Sequence, residues 1–173
     1  MSEYIELAAK AKINLTLDII KQLPTGFHEI KTVYQEIDLA DNIIIRPYEE
    51  NEIRIFINNR EIKLSENLAY LAAKQVLAAA DCHKGVDIII NKRIPLSAGL
   101  GGGSSDAAAV INGLNKLFSL GLAESELRKI ASSLGKDIPF FLQGKIALGT
   151  GLGDTIQKRS EERRVGKECR SRW

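Results

Sequence analysis

The first third of the chain alternates apolar and polar positions at the two-residue period of half-buried strands. Residues 4–7 and 13–20 keep that period over most of their length, and the basic stretch Ala9-Lys10-Ala11-Lys12 between them predicts two separate strands. Pro24-Thr25-Gly26 marks a turn. Further strands are expected over 30–39, 42–47 and 52–57, with Asn58-Asn59 turning the chain. The period then lengthens. Over 65–81, Leu68, Leu71, Ala72, Val76 and Ala79 recur at helical spacing, with Ser65 or Asn67 as the N-cap and Gly85 as the stop. Residues 86–90 form a short apolar run, read as a buried strand that leads through Lys92-Arg93 and Pro95 into a glycine run. Residues 104–118 and 123–134 predict two helices, the second bounded by Gly121 and Gly135. Residues 138–142 suit a short helix or strand, and 145–148 a strand.

The glycine run carries the clearest chemistry. Pro95-Leu96-Ser97-Ala98-Gly99-Leu100-Gly101-Gly102-Gly103-Ser104-Ser105-Asp106 lies between a predicted strand and a predicted helix. Residues without a Cβ let the backbone approach a polyanion, and the first turn of a helix offers unpaired N–H groups with a partial positive charge. Ser104 and Ser105 add hydroxyls for phosphate oxygens or a magnesium ion. Glycine clusters also occur in ligand-free loops, but the two serines opening a helix favour the phosphate reading. No GK[ST] follows as in a Walker loop, and Gly99 to Ser104 lacks the third glycine of a dinucleotide fingerprint.

The stretch resembles the Pro-x-x-x-Gly-Leu-Gly-Gly-Gly-Ser-Ser signature of the GHMP kinases, the family of galactokinase, homoserine kinase, mevalonate kinase and phosphomevalonate kinase. Further segments resemble the branch of that family whose substrate is methylerythritol linked to cytidine diphosphate. They are Ala11-Lys12-Ile13-Asn14-Leu15, Gly26-Phe27-His28-Glu29, Glu66-Asn67-Leu68, Asn91-Lys92-Arg93-Ile94-Pro95 and Gly135-Lys136-Asp137-Ile138-Pro139-Phe140-Phe141, the last with Lys136 where Ala or Ser is more usual.

The resemblance covers residues 5–158. It implies an α+β fold of the ribosomal protein S5 domain 2-like type: a two-layer arrangement of a mostly antiparallel sheet with helices on one side, and a left-handed βαβ crossover. It implies transfer of phosphate from ATP, with Mg²⁺, to the 2-hydroxyl of that substrate in non-mevalonate isoprenoid synthesis. Asp137 would be the general base and Lys12 would polarise the hydroxyl or steady Asp137. Read alone, Lys12 is a solvated strand charge and Asp137 a turn former. Pro95, Ala98, Gly99, Leu100, Gly101, Gly102, Gly103, Ser104 and Ser105 would hold the nucleotide, with Asn67 and Lys92 on the adenine side. Asn14, Phe27 and His28 would hold the substrate, and Ser105 is the candidate metal ligand. No ligand is assigned to Gly149-Thr150-Gly151-Leu152-Gly153. Two alternatives stay open: another small-molecule kinase of the family, and a nucleotide-binding fragment without activity.

Charge changes the picture only at the end of the chain. The formal net charge is +2, but residues 159–173 hold six Lys/Arg against three Glu, which leaves a body of about −1. That near-neutral body gives no footprint for nucleic acid. The Arg159–Trp173 stretch has no periodic apolar face, and one codon choice for it reads as a sequencing adapter. It is expected to be non-native or a disordered tail, with 1–158 forming the amino-terminal domain of a two-domain kinase whose second domain would follow. Such a fragment would expose an apolar patch of roughly several hundred Å² toward its missing partner. No apolar run is long enough to span a bilayer and no secretory leader is read, so a cytoplasmic protein is expected. Cys82 and Cys169 lack metal or disulfide spacing, and Cys82 is expected to be a reduced thiol.

Overall fold

The structure is a computed structural model that describes residues 4–58, 60–61 and 67–158. Asn59, Ser65, Glu66, Cys169 and the 159–173 segment lie outside the described residues. In chain order the elements are β1 (Ile5–Gln22), β2 (His28–Tyr48), β3 (Ile53–Ile57), β4 (Arg60–Glu61), α1 (Leu68–Ala79), β5 (Gly85–Asn91), α2 (Gly102–Leu117), α3 (Glu124–Leu134), α4 (Ile138–Gln143), β6 (Ile146–Thr150) and β7 (Thr155–Lys158).

The strands form one seven-stranded sheet, ordered β4-β3-β5-β2-β6-β7, with β1 beside β2. Every pairing is antiparallel except β3 with β5, which α1 connects. β2 organises the sheet. Its Asn42–Tyr48 half pairs β5, its Thr32–Gln35 half pairs β6, and β1 runs along both halves. Ile43, Ile45, Ile55, Val86, Ile88 and Ile90 turn to one face, where they share a core with Ala72, Val76, Val110, Ile111 and Leu114 of the helices. The other face carries Asp87 bound by Arg46 and Arg54, so the helices lie on one side.

Two sequence-based boundaries disappear. The stretches expected as separate strands, 4–7 with 13–20 and 30–39 with 42–47, are the long strands β1 and β2. The register shifts between Lys10 and Lys12, where β2 carries two extra residues, and the β-bulges between Asn14 and Thr16 and between Ile19 and Lys21 each add one residue to β1. A bulge adds one residue, flips the in-out phase and bends the strand without ending it. Beyond Lys12 β1 is exposed, and Leu15, Leu17, Ile19 and Ile20 face solvent together with Phe27 at the hairpin turn. The Thr155–Lys158 strand was not anticipated, because four residues with one large apolar side chain carry no period.

Two glycines play parts different from those expected. Gly135 is extended, with φ −177° and ψ 153°, and closes α3 without a left-handed turn. α1 stops at Ala80, and Asp81 takes the left-handed conformation at φ 48°. Gly85 instead opens β5, where a Cβ would lie 1.6 Å from the Glu50 carbonyl oxygen and 2.9 Å from that of Tyr48. Backbone cannot retreat as a side chain can. Gly85→Ala should therefore cost about 2–3 kcal/mol or more in urea unfolding, and a loss below about 0.5 kcal/mol would show that the strand entry tolerates a side chain.

Candidate active site

The site begins at the first register shift of β1. Lys12 pairs with Glu36 just beyond it, and its N–H donates to the Leu100 carbonyl in the glycine loop at 3.0 Å. Its side chain turns inward and is only 8 % exposed. An ammonium so placed needs partners, because burial removes its hydration. Lys12 Nζ donates to Asn14 Oδ1 at 2.7 Å, lies 3.5 Å from Asp137 Oδ2 and stands 5.1 Å from the centre of the Tyr34 ring. Asn14 Nδ2 in turn donates to Thr32 Oγ1 at 2.7 Å, whose hydroxyl donates to the Thr16 carbonyl at 2.6 Å.

Asp137 arrives from the far end of the chain. It precedes α4, with Pro139 in the first turn, and Phe140 stacks at 4.9 Å on Tyr34. The Tyr34 hydroxyl lies 3.2 Å from Asp137 Oδ1 and 3.3 Å from the Gly153 carbonyl, either of which can accept its proton. Burial, with the Asp137 charge beside it, pushes the Tyr34 phenol well above its ordinary pKa, so it stays a donor. Tyr34 also accounts for two glycines in the segment given no ligand: a Cβ would meet its ring 2.5 Å from Gly149 and its hydroxyl 2.6 Å from Gly153. The same tight fit recurs at Gly101, where a Cβ would lie 2.7 Å from Phe141 Cζ.

The glycine loop forms the second wall. Pro95, Leu96, Ser97, Ala98, Gly99, Leu100, Gly101, Gly102, Gly103 and Ser104 line a cleft of about 260 Å³ together with Leu68 and Lys92. Gly101, at φ 72°, opens α2 in a left-handed conformation that leaves the helix without a side-chain cap. By contrast, Asn67 Oδ1 caps α1 through the Ala69 and Tyr70 N–H groups, and Glu126 accepts the Ala123 N–H at α3. An uncapped first turn opening into a cleft presents free N–H donors and the positive end of the helix dipole.

Lys92 ends β5 between two buried carboxylates. Its ammonium pairs with Asp41 Oδ2 and lies 2.8 Å from Asp106 Oδ2, while Asp41 Oδ1 accepts the N–H groups of Arg93 at 2.5 Å and Ile94 at 2.8 Å. Burial works against the Asp41 charge, but the Lys92 ammonium and the two N–H groups outweigh it and hold its pKa below the usual carboxylate range. Burial pushes Asp106 up to about 7, with Lys92 opposing and Asp41 adding to the rise. Burial opposes the Lys92 charge too, yet the two carboxylates prevail and raise its pKa.

Of the residues picked from the sequence, Lys12, Asn14 and Asp137 come together, and the glycine loop abuts them. Ser105 and Lys92 have work that their sequence roles did not foresee, whereas Asn67 takes the N-cap place that the sequence offered it. The Ser105 hydroxyl donates to the Lys10 carbonyl at 2.7 Å, Asn67 gives its oxygen to the α1 cap, and Lys92 sits against Gly102. Phe27 and His28 stand at the end of the β1–β2 hairpin, where His28 faces Gln22, whereas Lys12 faces Glu36. Tyr34, Asp41 and Asp106 were missed. Among the described residues no group of three or more His, Cys, Asp or Glu side chains is placed to hold a metal ion, and no helix is long and apolar enough to cross a membrane.

A buried lysine beside a carboxylate, next to an uncapped helix under a glycine loop, is an arrangement suited to moving a phosphoryl group. Residues 67–153, half of the chain, match the sequence profile of the GHMP kinases N terminal domain, and the chain belongs to that family. It is 47 % identical over 153 residues to the 4-diphosphocytidyl-2-C-methyl-D-erythritol kinase of Alkaliphilus oremlandii, covering 88 % of this chain and 52 % of that protein. The kinase of the same name from Bacillus subtilis is 44 % identical over 150 residues, covering 86 % of this chain and 52 % of its own length. A crystal structure of 4-(cytidine 5'-diphospho)-2C-methyl-D-erythritol kinase superposes with a TM-score of 0.78 at 38 % identity, over 90 % of this chain and 55 % of that one. The mevalonate kinase of Methanococcus jannaschii shares the fold, with a TM-score of 0.64 at 20 % identity over 92 % of this chain and 56 % of its own. The chain thus spans about half the length of the curated relatives it matches.

The Tyr34 hydroxyl is the fastening most open to a clean test. Tyr34→Phe keeps the ring under Lys12 and against Phe140 but removes the donor to Asp137 and Gly153. It should lower stability by about 1 kcal/mol in urea unfolding. An unchanged midpoint would mean that the hydroxyl holds nothing.

Proposed function

We propose that this chain carries the nucleotide cleft and the proton-accepting pair of an ATP-dependent small-molecule kinase. Its substrate would be 4-diphosphocytidyl-2-C-methyl-D-erythritol, phosphorylated on the 2-hydroxyl. The observation that carries the reading is Lys12 Nζ at 3.5 Å from Asp137 Oδ2, on the border of a glycine loop whose helix has no cap of its own. The named relatives support the substrate.

In this reading the α2 N–H groups and Ser104 receive the triphosphate. The substrate hydroxyl sits between Lys12 and Asp137. Its oxygen forms a bond to the γ-phosphorus as the bond from that phosphorus to the β-phosphate oxygen breaks. Asp137 takes the hydroxyl proton and ADP leaves. Lys12 holds Asp137 in place and steadies charge on the moving phosphoryl group, and Tyr34 and Asn14 fix the two partners. Asn14 leads along β1 toward Phe27 and His28, an aromatic ring and an imidazole suited to a cytosine.

Magnesium usually needs few protein oxygens beside nucleotide phosphates, and the residues here fit an ion brought in that way. Ser104 lines the cleft, whereas Ser105 is tied to the Lys10 carbonyl. Bound there, the ion would neutralise phosphate charge. The exposed apolar row Leu15, Leu17, Ile19, Ile20 favours a second reading in which the chain by itself binds nucleotide without turnover.

The test is phosphate transfer from ATP to the cytidylylated methylerythritol by this chain and by a version continued with the remaining half of a relative. Transfer in the extended protein should fall by about 10²–10⁴ in Asp137→Asn. Full activity of that variant would remove Asp137 from the chemistry, and inactivity of the extended parent would overturn the substrate.

A further inference from the structure

Three buried charges border the cleft and take no part in the transfer step: Asp41 of β2, Lys92 after β5 and Asp106 of α2. Asp41 is 1 % exposed and Asp106 5 %. The two carboxylates are satisfied unequally. Asp41 has backbone donors on one oxygen and Lys92 on the other, so it stays paired even if Lys92 turns part of its attention elsewhere. Asp106 Oδ2 has Lys92 at 2.8 Å, while its buried Oδ1 has no hydrogen-bond partner among the described residues. A network built only to hold the fold together would not leave a buried carboxylate oxygen without a donor. Nor would it place two negative charges around one positive charge beside a cleft otherwise shaped for an anion.

The ammonium is also where a ligand would need it. A Cβ on Gly102 would lie 3.2 Å from Lys92 Nζ, so the charge abuts the first residue of the uncapped helix. Lys92 itself lines the cleft with Gly101, Gly102 and Ser104. An ammonium has three donors and can keep one partner while exchanging another.

We infer that Lys92 is a phosphate-binding residue whose ammonium is divided between Asp106 and the nucleotide's phosphates, with Asp41 as the pivot that keeps lysine and loop in place. This rests on the reading of the cleft as a nucleotide site. Asp106 competes with phosphate: drawing Lys92 toward the ligand strips Asp106 of its donor and brings negative charge close to it. Asp106 therefore restrains affinity, and Asp41 and Asp106 act as positioning residues through Lys92.

The sign of the effect separates this role from a structural one. Calorimetric titration of the 173-residue chain with ATP and with inorganic tripolyphosphate would be compared for the unsubstituted protein, Asp106→Asn and Lys92→Met, with thermal unfolding of each. Asp106→Asn should bind both ligands about five- to tenfold more tightly, and Lys92→Met about tenfold more weakly. Asp106→Asn binding no more tightly than the parent, or Lys92→Met binding as well as it, overturns the inference. Asp106→Asn is nearly isosteric and keeps the test decisive should Lys92→Met fail to fold. If the unsubstituted chain binds neither ligand, the nucleotide reading itself fails. Binding that neither substitution alters sinks only the role of Lys92.

Discussion

At Lys12 the first strand, still paired with β2 through Glu36, donates its N–H to Leu100 in the glycine loop. That hydrogen bond joins the sheet to the loop, and both walls of the site depend on it. The Lys12 side chain is buried there, where it reaches Asn14, Asp137 and the Tyr34 ring. A cation from the start of the chain is thus brought to a carboxylate from near its end.

Buried charge costs free energy, and the site answers that cost twice in different ways. Around Lys12 the partners are neutral or shared: an amide oxygen, a phenol ring and one carboxylate that is partly open to solvent. Around Lys92 they are two buried carboxylates, one richly bonded and one not. The first arrangement leaves a carboxylate oxygen available to a hydroxyl, and the second leaves a cation available to phosphate. α4 links them, because Asp137 precedes it and Phe141 within it fills the space against Gly101, which ties the Asp137 carboxylate to the glycine loop through one short helix.

The glycine loop was legible because its information is local: a run without Cβ atoms, then serines opening a helix. Lys12 and Asp137 could be chosen by resemblance, but not their closeness, which depends on α4 packing against α2 and on Phe140 meeting Tyr34 of β2. Tyr34 looked like any aromatic on a half-buried strand, and its meaning lies in residues more than a hundred positions away, Asp137 and Gly153. Asp41, followed by Asn42, read as the gap between two strands when it is the middle of one. Asp106 sat among alanines as an unremarked polar position on a packed helix. Polar residues inside regular elements carry no periodic signal of their partners. Only the tertiary arrangement reveals them.

The central claim is that the uncapped start of α2, with Lys92 beside it, receives a triphosphate. Backbone amide shifts of the isotope-labelled chain, followed while a non-hydrolysable ATP analogue is added, test it most directly. The account predicts saturable shifts concentrated at Gly99–Ser104 and Lys92, with much smaller ones for adenosine. Shifts that are absent, equal for adenosine, or centred on Arg46 and Arg54 across the sheet would contradict it.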